Sequence, residues 1–524
     1  MSDSSLPKLV QQMLSPDFYP HSVAEPIRLM QTHVSYVLLT GDYVYKLKKP
    51  VNFGFLDYSS LEKREHFCQE ELRLNEKGAG SLYLGVVPIC ESAGKYEIDG
   101  EGETAEYAVK MQQFPQSALL SEQFEQGQFD EEKVRSLAKT IAQFHRETRT
   151  DDHIRSYGTV EKIRAAFDEN YEQTVGFTGG STGGDAVDKP QTQRQFDETK
   201  AYTDNFFETR QDLLAQRLER DRIRACHGDL HLGNICEWND EILLFDCIEF
   251  NEPFRFVDVM YDIAYVVMDL EMAGRKDLAN AFINQYAEET GDWEGLKVLP
   301  IYVSRQSYVR AKVTSFMLGD PSVSDEDKQA ASEKAAKYYR LAWSYLQDFK
   351  PGKKGAMVAM AGLSGSGKST VAKALAKEKN AIYLRSDAVR KHLAGVPLDQ
   401  KGGDDIYTAE MSDKTYSRLI ELGIDLAKEG YSVVLDAKFD RKEKREEAIA
   451  AAKAQDIPLS FVYCQAPEAV LKSRLDQRSG DIADATAEIM ARQSMEPFSD
   501  AEPVEVVDTT QSAKDVQKQL AGVL

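Results

Sequence analysis

The sequence lacks the features that mark exported, membrane-bound or zinc-ribbon proteins. None of its six cysteines belongs to a Cys-x-x-Cys pair, which argues against zinc ribbons and thioredoxin-like sites. No run approaches the ~18 apolar residues that a membrane span requires, and the first residues lack the basic and apolar segments of a secretory signal. Few, scattered cysteines in a long chain are typical of a reducing compartment, so we expect a cytoplasmic protein.

Positive charge is also scarce. Asp and Glu number 86 against 64 Lys and Arg, which gives a formal net charge of −22. Such an acidic exterior is a poor general match for a nucleic-acid backbone, although a local basic cleft can coexist with it. The 524 residues show no long-period repeat and, at about 150 residues per domain, predict either two large domains or three to four smaller ones.

A turn-rich basic segment divides the chain. Residues 350–355, Lys-Pro-Gly-Lys-Lys-Gly, follow a long helical stretch and precede an apolar strand, which predicts a linker. Residues 1–349 begin with strand-like alternation and continue as helices, so we expect a small lobe over about 1–115 and a helical lobe over about 116–349. Residues 356–524 alternate strands and helices, which predicts a doubly wound parallel sheet. The predicted fold is therefore α+β followed by α/β, in two domains.

Local patterns refine the first part. Residues 35–40 and 43–48 alternate around a two-residue turn and predict a β-hairpin. Residues 61–77 have helical spacing, with Gly78 as the expected stop. Further strands are expected at 82–89 and 106–114. A glycine-rich tract at 176–184 predicts a flexible surface loop, with a lid over a substrate as the alternative.

The second part carries a phosphate-binding signature. Residues 362–369 fit the pattern Gly-x-x-x-x-Gly-Lys-Ser, follow a predicted strand and open a predicted helix. Glycines let backbone N–H groups turn toward phosphate oxygens, and the helix start adds partial positive charge. Lys368 is expected to reach the β- and γ-phosphates of a nucleotide, and Ser369 to hold Mg²⁺. The predicted nucleotide-binding residues are Gly362, Ser364, Gly365, Ser366, Gly367, Lys368, Ser369 and Thr370.

Charged residues near later strand ends are candidate catalytic groups. Asp387 and Arg390 lie three apart near a strand end, where doubly wound sheets bind ligands. Asp387 would take the acceptor proton or help hold Mg²⁺, and Arg390 would grip an anionic substrate. Asp436 ends a buried strand and would hold Mg²⁺ through water or position the substrate, while Arg474 and Arg478, four apart, would close over the phosphoryl group. The alternatives are a helix cap, a strand-end cap and a solvated basic face.

This half resembles the small P-loop kinases that phosphorylate a hydroxyl, among them adenylylsulfate kinases, gluconate kinases and the kinase domain of polynucleotide kinases. The resemblance rests on the run that starts at Gly362 and on Ser386-Asp-x-x-Arg390, and it covers about residues 355–524. It implies ATP binding and leaves the acceptor open.

The densest functional pattern in the first part is His227-Gly-Asp229-Leu-His-Leu-Gly-Asn234. Asp229 and Asn234 have the Asp-x-x-x-x-Asn spacing of a kinase catalytic loop, in which the Asp accepts the acceptor proton and the Asn binds Mg²⁺. An apolar strand follows and ends in Asp246, where the second metal-binding carboxylate is expected. Cys247 follows it in place of the Phe of Asp-Phe-Gly.

This stretch resembles the aminoglycoside phosphotransferase and choline kinase superfamily, and Asp258 and Asp262 are expected to support its loop. Kinases of this shape need a strand lysine paired with a helix glutamate. Lys46 is the favoured lysine, with Lys48 as the alternative on the same strand face. Glu71 is the favoured partner.

No Gly-x-Gly-x-x-Gly loop precedes these lysines. Ser35 and nearby backbone N–H groups are expected to cover the phosphates instead. Met111 falls where the hinge between the lobes is expected and would line the adenine pocket.

Over nearly its whole length the chain resembles the bifunctional proteins that fuse an aminoglycoside-phosphotransferase-like domain to an ATP-binding P-loop kinase. The resemblance implies an ATP-dependent kinase with two Mg²⁺·ATP sites, each transferring the γ-phosphoryl group to a hydroxyl of a small molecule. One alternative is that the second half phosphorylates the 5′-hydroxyl of a nucleic acid, with a basic groove formed by Arg385, Arg390, Lys391 and His392. Another is that one half binds ATP only as a regulatory switch.

Overall fold

The computed structural model describes residues 6–180, 187–477, 482, 490 and 493–520. The chain forms two compact units. The first comprises Met1–Ser136, Gln143–Ile163 and Gln211–Val266, and the second comprises Leu137–Ala142, Arg164–Arg210 and Val267–Leu524. Residues 267–349, which precede the basic linker, therefore belong to the same compact unit as the residues that follow it. The domain boundary at 350–355 stays a prediction.

The β-strands form the sheets that carry the residues of both candidate sites. They are β1 Arg28–Gln31, β2 Ser35–Leu39, β3 Tyr43–Lys48, β4 Tyr83–Ser92, β5 Lys95–Ile98, β6 Glu103–Gln112, β7 Thr178–Gly180, β8 Gln191–Thr192, β9 Ile223–Ala225, β10 Ile235–Trp238, β11 Glu241–Leu244, β12 Phe256–Asp258, β13 Met357–Ala361, β14 Ile382–Arg385, β15 Val433–Asp436, β16 Leu459–Gln465 and β17 Val504–Asp508.

The described residues also form α-helices in both units. They are α1 Lys8–Met13, α2 Leu61–Ala79, α3 Leu120–Glu125, α4 Glu131–Glu147, α5 Asp152–Arg155, α6 Val160–Thr174, α7 Gln193–Thr209, α8 Gln211–Glu219, α9 Glu252–Arg255, α10 Val259–Met272, α11 Lys276–Thr290, α12 Leu299–Phe316, α13 Asp325–Gln347, α14 Lys368–Glu378, α15 Ser386–Ala394, α16 Ala409–Lys428, α17 Lys442–Ala454, α18 Glu468–Asp476 and α19 Ala513–Gln519. Within these ranges, no helix has the length and apolarity needed to cross a membrane.

The first unit is built on a six-stranded antiparallel sheet in the order β1-β2-β3-β6-β4-β5. The predicted hairpin is confirmed, since β2 pairs with β3 across a turn at Gly41. Successive residues of β6 point to opposite faces: Ala108 packs in one apolar cluster with Leu38 and Tyr45, whereas Val109 packs in another. Both faces of the sheet are therefore covered, which holds β3 rigid.

The expected helix stop at Gly78 is wrong. Helix α2 continues to Ala79, and Gly80 occupies its C-cap. A Cβ atom on Gly78 would lie 2.5 Å from the carbonyl oxygen of Leu244, so this glycine lets the helix pass close to the end of β11. The residue type reflects tertiary packing rather than helix termination.

The second unit contains a five-stranded, all-parallel sheet in the order β14-β15-β13-β16-β17, as predicted. Every residue of β13 is buried, which fits a central strand covered on both faces. Strand β17 was not foreseen, because its side chains are mostly exposed and its pattern lacks an apolar run. Part of the glycine-rich tract is a short strand, β7, which pairs with β8; residues 181–184 lie outside the described residues.

Helix α11 covers the open edge of this sheet. The amide groups of Asn280 and Asn284 each donate a hydrogen bond of 3.0 Å to the carbonyl oxygen of Ala381, and the N–H of Tyr383 donates to Oδ1 of Asn284 at 2.7 Å. Buried edge groups need such partners. Residues that precede the linker therefore complete the sheet of the second unit.

Candidate active sites

The first candidate site centres on a buried lysine. Lys46 on β3 contacts Oε1 of Glu71 at 2.8 Å and Oδ1 of Asp246 at 2.5 Å. Although burial alone lowers the pKa of Lys46, the carboxylates of Asp246 and Glu71 raise it well above its usual value, so the lysine is charged. The structure thus brings together three residues that lie far apart in sequence, in the arrangement that a kinase uses to hold phosphates and metal.

A second lysine of the same strand is bound in the same network. Lys48 contacts Oε2 of Glu71 at 2.7 Å and also contacts Glu249, whose carboxylate accepts a hydrogen bond from the hydroxyl of Tyr58. Burial alone would raise the pKa of Glu71, but Lys46 and Lys48 together lower it to about 2. Lys48 therefore anchors the segment that follows Asp246, whereas Lys46 faces Asp246 itself. Sequence reasoning missed Glu249 and Tyr58, because neither belongs to a motif.

The residues predicted to form a catalytic loop, Asp229 and Asn234, lie beside the segment that carries Asp246. The side-chain amide of Asn234 donates to Oδ2 of Asp229 at 3.3 Å and to its carbonyl oxygen at 3.0 Å. The N–H of Phe245 donates to the carbonyl oxygen of Asn234 at 3.0 Å, which places Asp246 beside the loop. Oδ1 of Asn234 and Oδ2 of Asp246 accept no hydrogen bond from the described residues, so the two oxygens expected to bind Mg²⁺ are available for it.

Buried carboxylates hold the loop in place. Asp262 accepts hydrogen bonds from the N–H groups of His227 and Gly228, at 3.0 and 2.8 Å, and contacts Nε2 of His145 at 3.0 Å. Asp258 forms a two-bond ion pair with Arg217, with both distances 2.6 Å. These contacts agree with the expected supporting roles of Asp258 and Asp262. They fix the backbone ahead of the catalytic loop without using the groups that would react.

Two further predicted residues lie on the same sheet. Met111 is buried in the apolar cluster that includes Val109. Val44 and Phe245 pack against this cluster, and Phe245 directly precedes Asp246. This placement suits the predicted adenine pocket. Ser35 is buried and pairs with Lys48 in the register of β2 and β3, so its backbone lies beside the lysine network.

The second candidate site is the loop between β13 and α14. Gly362, Gly365 and Gly367 have φ values of 134°, 81° and 85°, which L side chains rarely adopt. A Cβ atom on Gly365 would lie 2.6 Å from the carbonyl oxygen of Leu471. The hydroxyl of Ser366 is buried without a hydrogen-bond partner among the described residues.

Lys368 bends back over this loop. Its Nζ donates to the carbonyl oxygen of Leu363 at 2.8 Å, and burial lowers its pKa, while the carboxylates of Asp436 and Asp387 act in the opposite direction. A bound phosphate would place negative charge next to the Lys368 ammonium group and so favour its charged form. The donor set of loop, lysine and Ser369 hydroxyl therefore fits a magnesium-bound triphosphate.

The remaining predicted residues of this half line one cavity. The cavity has a volume of about 810 Å³, and its walls include Ser364, Ser369, Thr370, Asp387, Arg390, Asp436 and Arg474. Asp436 accepts a hydrogen bond of 2.6 Å from the hydroxyl of Tyr383. Arg390 is largely buried and donates to the carbonyl oxygen of Ile406 at 3.1 Å. Its Nη1 also donates to Oγ of Ser412 at 3.3 Å, and its Nε is buried with no partner among the described residues.

Arg474 lies directly against the phosphate cradle. It donates to Oγ1 and to the carbonyl oxygen of Thr509, at 2.9 and 2.7 Å, and approaches the carbonyl oxygen of Gly365 at 3.4 Å. Thr509 was not foreseen, since it follows the unpredicted strand β17. Arg478 lies outside the described residues.

Three of the four basic residues proposed to form a nucleic-acid groove face protein groups instead. Arg385 is buried 3.7 Å from Glu288. Lys391 is buried and donates to two backbone carbonyls, at 3.1 and 2.6 Å, and His392 contacts the carbonyl oxygen of Glu288 at 2.7 Å. Arg385 and His392 thus contact α11, and Lys391 contacts the loop after α15. None of the three lines the cavity that contains Asp387, so they do not form the groove considered for the nucleic-acid alternative.

Comparisons with known proteins match both parts of the chain. Residues 84–299 match the model of the phosphotransferase enzyme family, and residues 357–496 match that of an AAA domain. The chain is 28% identical over 481 residues, 91% of each sequence, to an uncharacterized protein of Mycobacterium tuberculosis. A choline/ethanolamine kinase family protein from Mesorhizobium loti is 10% identical, with a TM-score of 0.38, over 64% of this chain and 95% of its own. A gluconokinase from Sinorhizobium meliloti is 23% identical, with a TM-score of 0.25, over 32% and 92%.

The two family matches fall in the predicted order along the chain. The kinase-like fold of the first part, the P-loop fold of the second part and their fusion in one polypeptide are thereby confirmed. The chain therefore carries a region that matches the phosphotransferase enzyme family followed by a P-loop kinase-like region, and the two matches together support an ATP-dependent kinase.

Proposed function

We propose that the chain has two Mg²⁺·ATP sites, each of which transfers the γ-phosphoryl group to a hydroxyl of a small-molecule acceptor. The observation that carries the proposal is that Lys46, Asp246, Asn234 and Asp229 lie close together within the first unit. The second unit separately contains a phosphate-binding loop with its own lysine. Phosphoryl transfer depends mainly on positioning and charge neutralisation, and each site supplies both.

In the first site, each residue has one role. Lys46, held by Glu71, binds the phosphates of ATP, and Asp246 and Asn234 hold the metal. A bound Mg²⁺ would supply positive charge that offsets the charge of the phosphate oxygens. Asp229 accepts the proton of the attacking hydroxyl, and the hydrogen bond from Asn234 keeps its carboxylate turned toward the site.

In the second site, backbone N–H groups of the loop bind the β-phosphate, and Lys368 spans the β- and γ-phosphates. Ser369 holds the metal, with Asp436 beside it and oriented by Tyr383. Asp387 accepts the acceptor proton. Arg474 stabilises the charge of the phosphoryl group in flight, since its guanidinium lies beside the cradle.

The second site favours an acceptor that carries a negative group. Arg390 lines the cavity, is largely buried and keeps its Nε unpaired. An unpaired buried donor gains most from an anionic partner. The volume of about 810 Å³ accommodates a nucleotide together with a small acceptor.

A screen with γ-labelled ATP tests the proposal. Wild type, Asp229→Asn and Lys368→Ala are incubated with pools of small alcohols and of oligonucleotides, with the exposed Lys428→Ala as a control. We expect two classes of labelled small-molecule products, one lost in Asp229→Asn and the other in Lys368→Ala. Retention of every product in both variants would refute the assignment, and labelled oligonucleotide that depends on Lys368 would favour the polynucleotide alternative. ATP binding with transfer from one half only would favour a regulatory role for the other half.

A further inference from the structure

A second cavity in the second unit lies away from the phosphate cradle. Its volume is about 1090 Å³, at the upper end of the range for ligand pockets. Ala356, Ile382, Ser432 and Pro458 line it, and each either begins a strand of the parallel sheet or directly precedes one. The phosphate cradle follows the opposite end of β13, so the five residues of that strand separate the two by roughly 15 Å.

The walls of this cavity come from two stretches of chain. Helices α10, α11 and α13 contribute part of the lining, and the basic linker together with the loops before β14, β15 and β16 contributes the rest. A bound ligand would therefore touch both the helices that precede the linker and the sheet that follows it. Cavities between segments of this kind are common sites for ligands.

Positive charge is concentrated in the cavity. Three of its side chains are acidic: Glu271, Asp348 and Asp456. Six are basic: Lys276, Lys337, Arg340, Lys353, Lys354 and Lys379. In a chain with a net charge of −22, such a local excess of cations creates a field that attracts anions.

Half of these cations form no close ion pair with the described residues: Lys379 lies 3.9 Å from Glu378, and two more cations are paired with acids of the cavity itself. Two of the acidic groups are already engaged, since Asp348 lies 3.0 Å from Lys353 and Asp456 lies 3.7 Å from Lys354. The third, Glu271, is largely buried, and burial raises its pKa. Lys337 and Arg340, one turn apart on α13, form no hydrogen bond or close ion pair with any described residue.

We propose that this cavity binds a small molecule that carries two or more phosphate groups. The cations of α11, α13 and the linker line this one cavity, so a ligand bound in it with several phosphates would lie near more than one of them. The rings of Tyr345 and Phe349, with centroids 5.6 Å apart, line the same cavity. They provide an apolar surface for the remainder of the ligand. This site does not depend on phosphoryl transfer at either nucleotide site.

Equilibrium dialysis with radiolabelled inorganic tripolyphosphate tests the proposal on the full chain. The two nucleotide sites also bind the probe, so the informative quantity is the difference in stoichiometry between variants. We expect the double variant Lys337→Glu/Arg340→Glu to bind one equivalent fewer than wild type, or to bind that equivalent at least tenfold more weakly. The matched control is Lys328→Glu/Lys334→Glu, which changes the same charge on the same helix outside the cavity, and it should bind as wild type does.

A milder variant guards against a folding defect. Lys276→Ala removes one cation from the exposed rim of the other helix, and it should weaken the same equivalent about threefold. Equal stoichiometry and affinity in wild type and both cavity variants would overturn the proposal. So would a single-stranded oligonucleotide that binds more tightly than tripolyphosphate and loses its affinity in the same variants, because the ligand would then be a nucleic acid.

Discussion

The buried glutamate of the first site makes a quantitative prediction. Glu71 is completely buried between Lys46 and Lys48, and its pKa lies at about 2 against 4.5 for an unperturbed Glu. Because the folded-state pKa is the lower one, ionisation of Glu71 stabilises the fold at neutral pH, and this contribution is lost as the pH falls from about 4.5 toward 2. One pH unit corresponds to about 1.4 kcal/mol, so the contribution at pH 7 is about 3 kcal/mol.

The substitution Glu71→Gln keeps the size of the side chain and removes its charge. We expect it to lower the free energy of unfolding of the first unit by about 3 kcal/mol at pH 7, and by about half as much at pH 3. The control is Glu70→Gln, because Glu70 forms only a surface pair with Arg73 at 2.6 Å, which is worth up to about 1 kcal/mol.

Urea unfolding followed by pulsed hydrogen exchange on peptides of β3 and α2 measures this unit separately from the other. The reasoning would be refuted if Glu71→Gln were no more destabilising than Glu70→Gln at pH 7, or if their difference did not shrink in acid. The same variant should lose most of the transfer activity assigned to the first site, since Lys46 would lose one of its two carboxylate partners.

Three further predictions concern packing. Gly78→Ala should destabilise the first unit by about 1–3 kcal/mol in urea unfolding, although alanine has the higher helix propensity. The reason is that the added Cβ would lie 2.5 Å from the carbonyl oxygen of Leu244. A stabilised variant would contradict this. Asn284→Ala should cost about 1–3 kcal/mol in the second unit by leaving the N–H of Tyr383 unpaired, whereas Gln285→Ala on the same helix should cost less, and equal losses would refute the role of Asn284. All six cysteines are buried, so a thiol reagent should titrate none in the native protein and all six in urea; rapid native labelling would show that the packing is wrong.

The motifs and the fold classes could be predicted because each motif is local. The run that opens at Gly362 specifies its own backbone turn, and the interval from Asp229 to Asn234 fits one loop whatever surrounds it. The strand-and-helix alternation of the second half likewise follows from local apolar patterns. Failures occurred where the local signal was weak or had another cause: β17 has mostly exposed side chains, and Gly78 is required by a neighbouring strand.

The sequence by itself determined which chemical groups are present and in what order the two kinase-like folds follow each other. Only the tertiary structure decided how those groups are shared. In the folded protein Lys46 pairs with Asp246 and Lys48 pairs with Glu249, although both lysines lie on one strand face and both contact Glu71. The tertiary structure also placed the polar side chains of α11 on the edge of the second sheet. The physical reason is that a motif records contacts within a few residues, whereas ion pairs and edge hydrogen bonds join groups about 100 to 200 residues apart, and their choice depends on burial and packing.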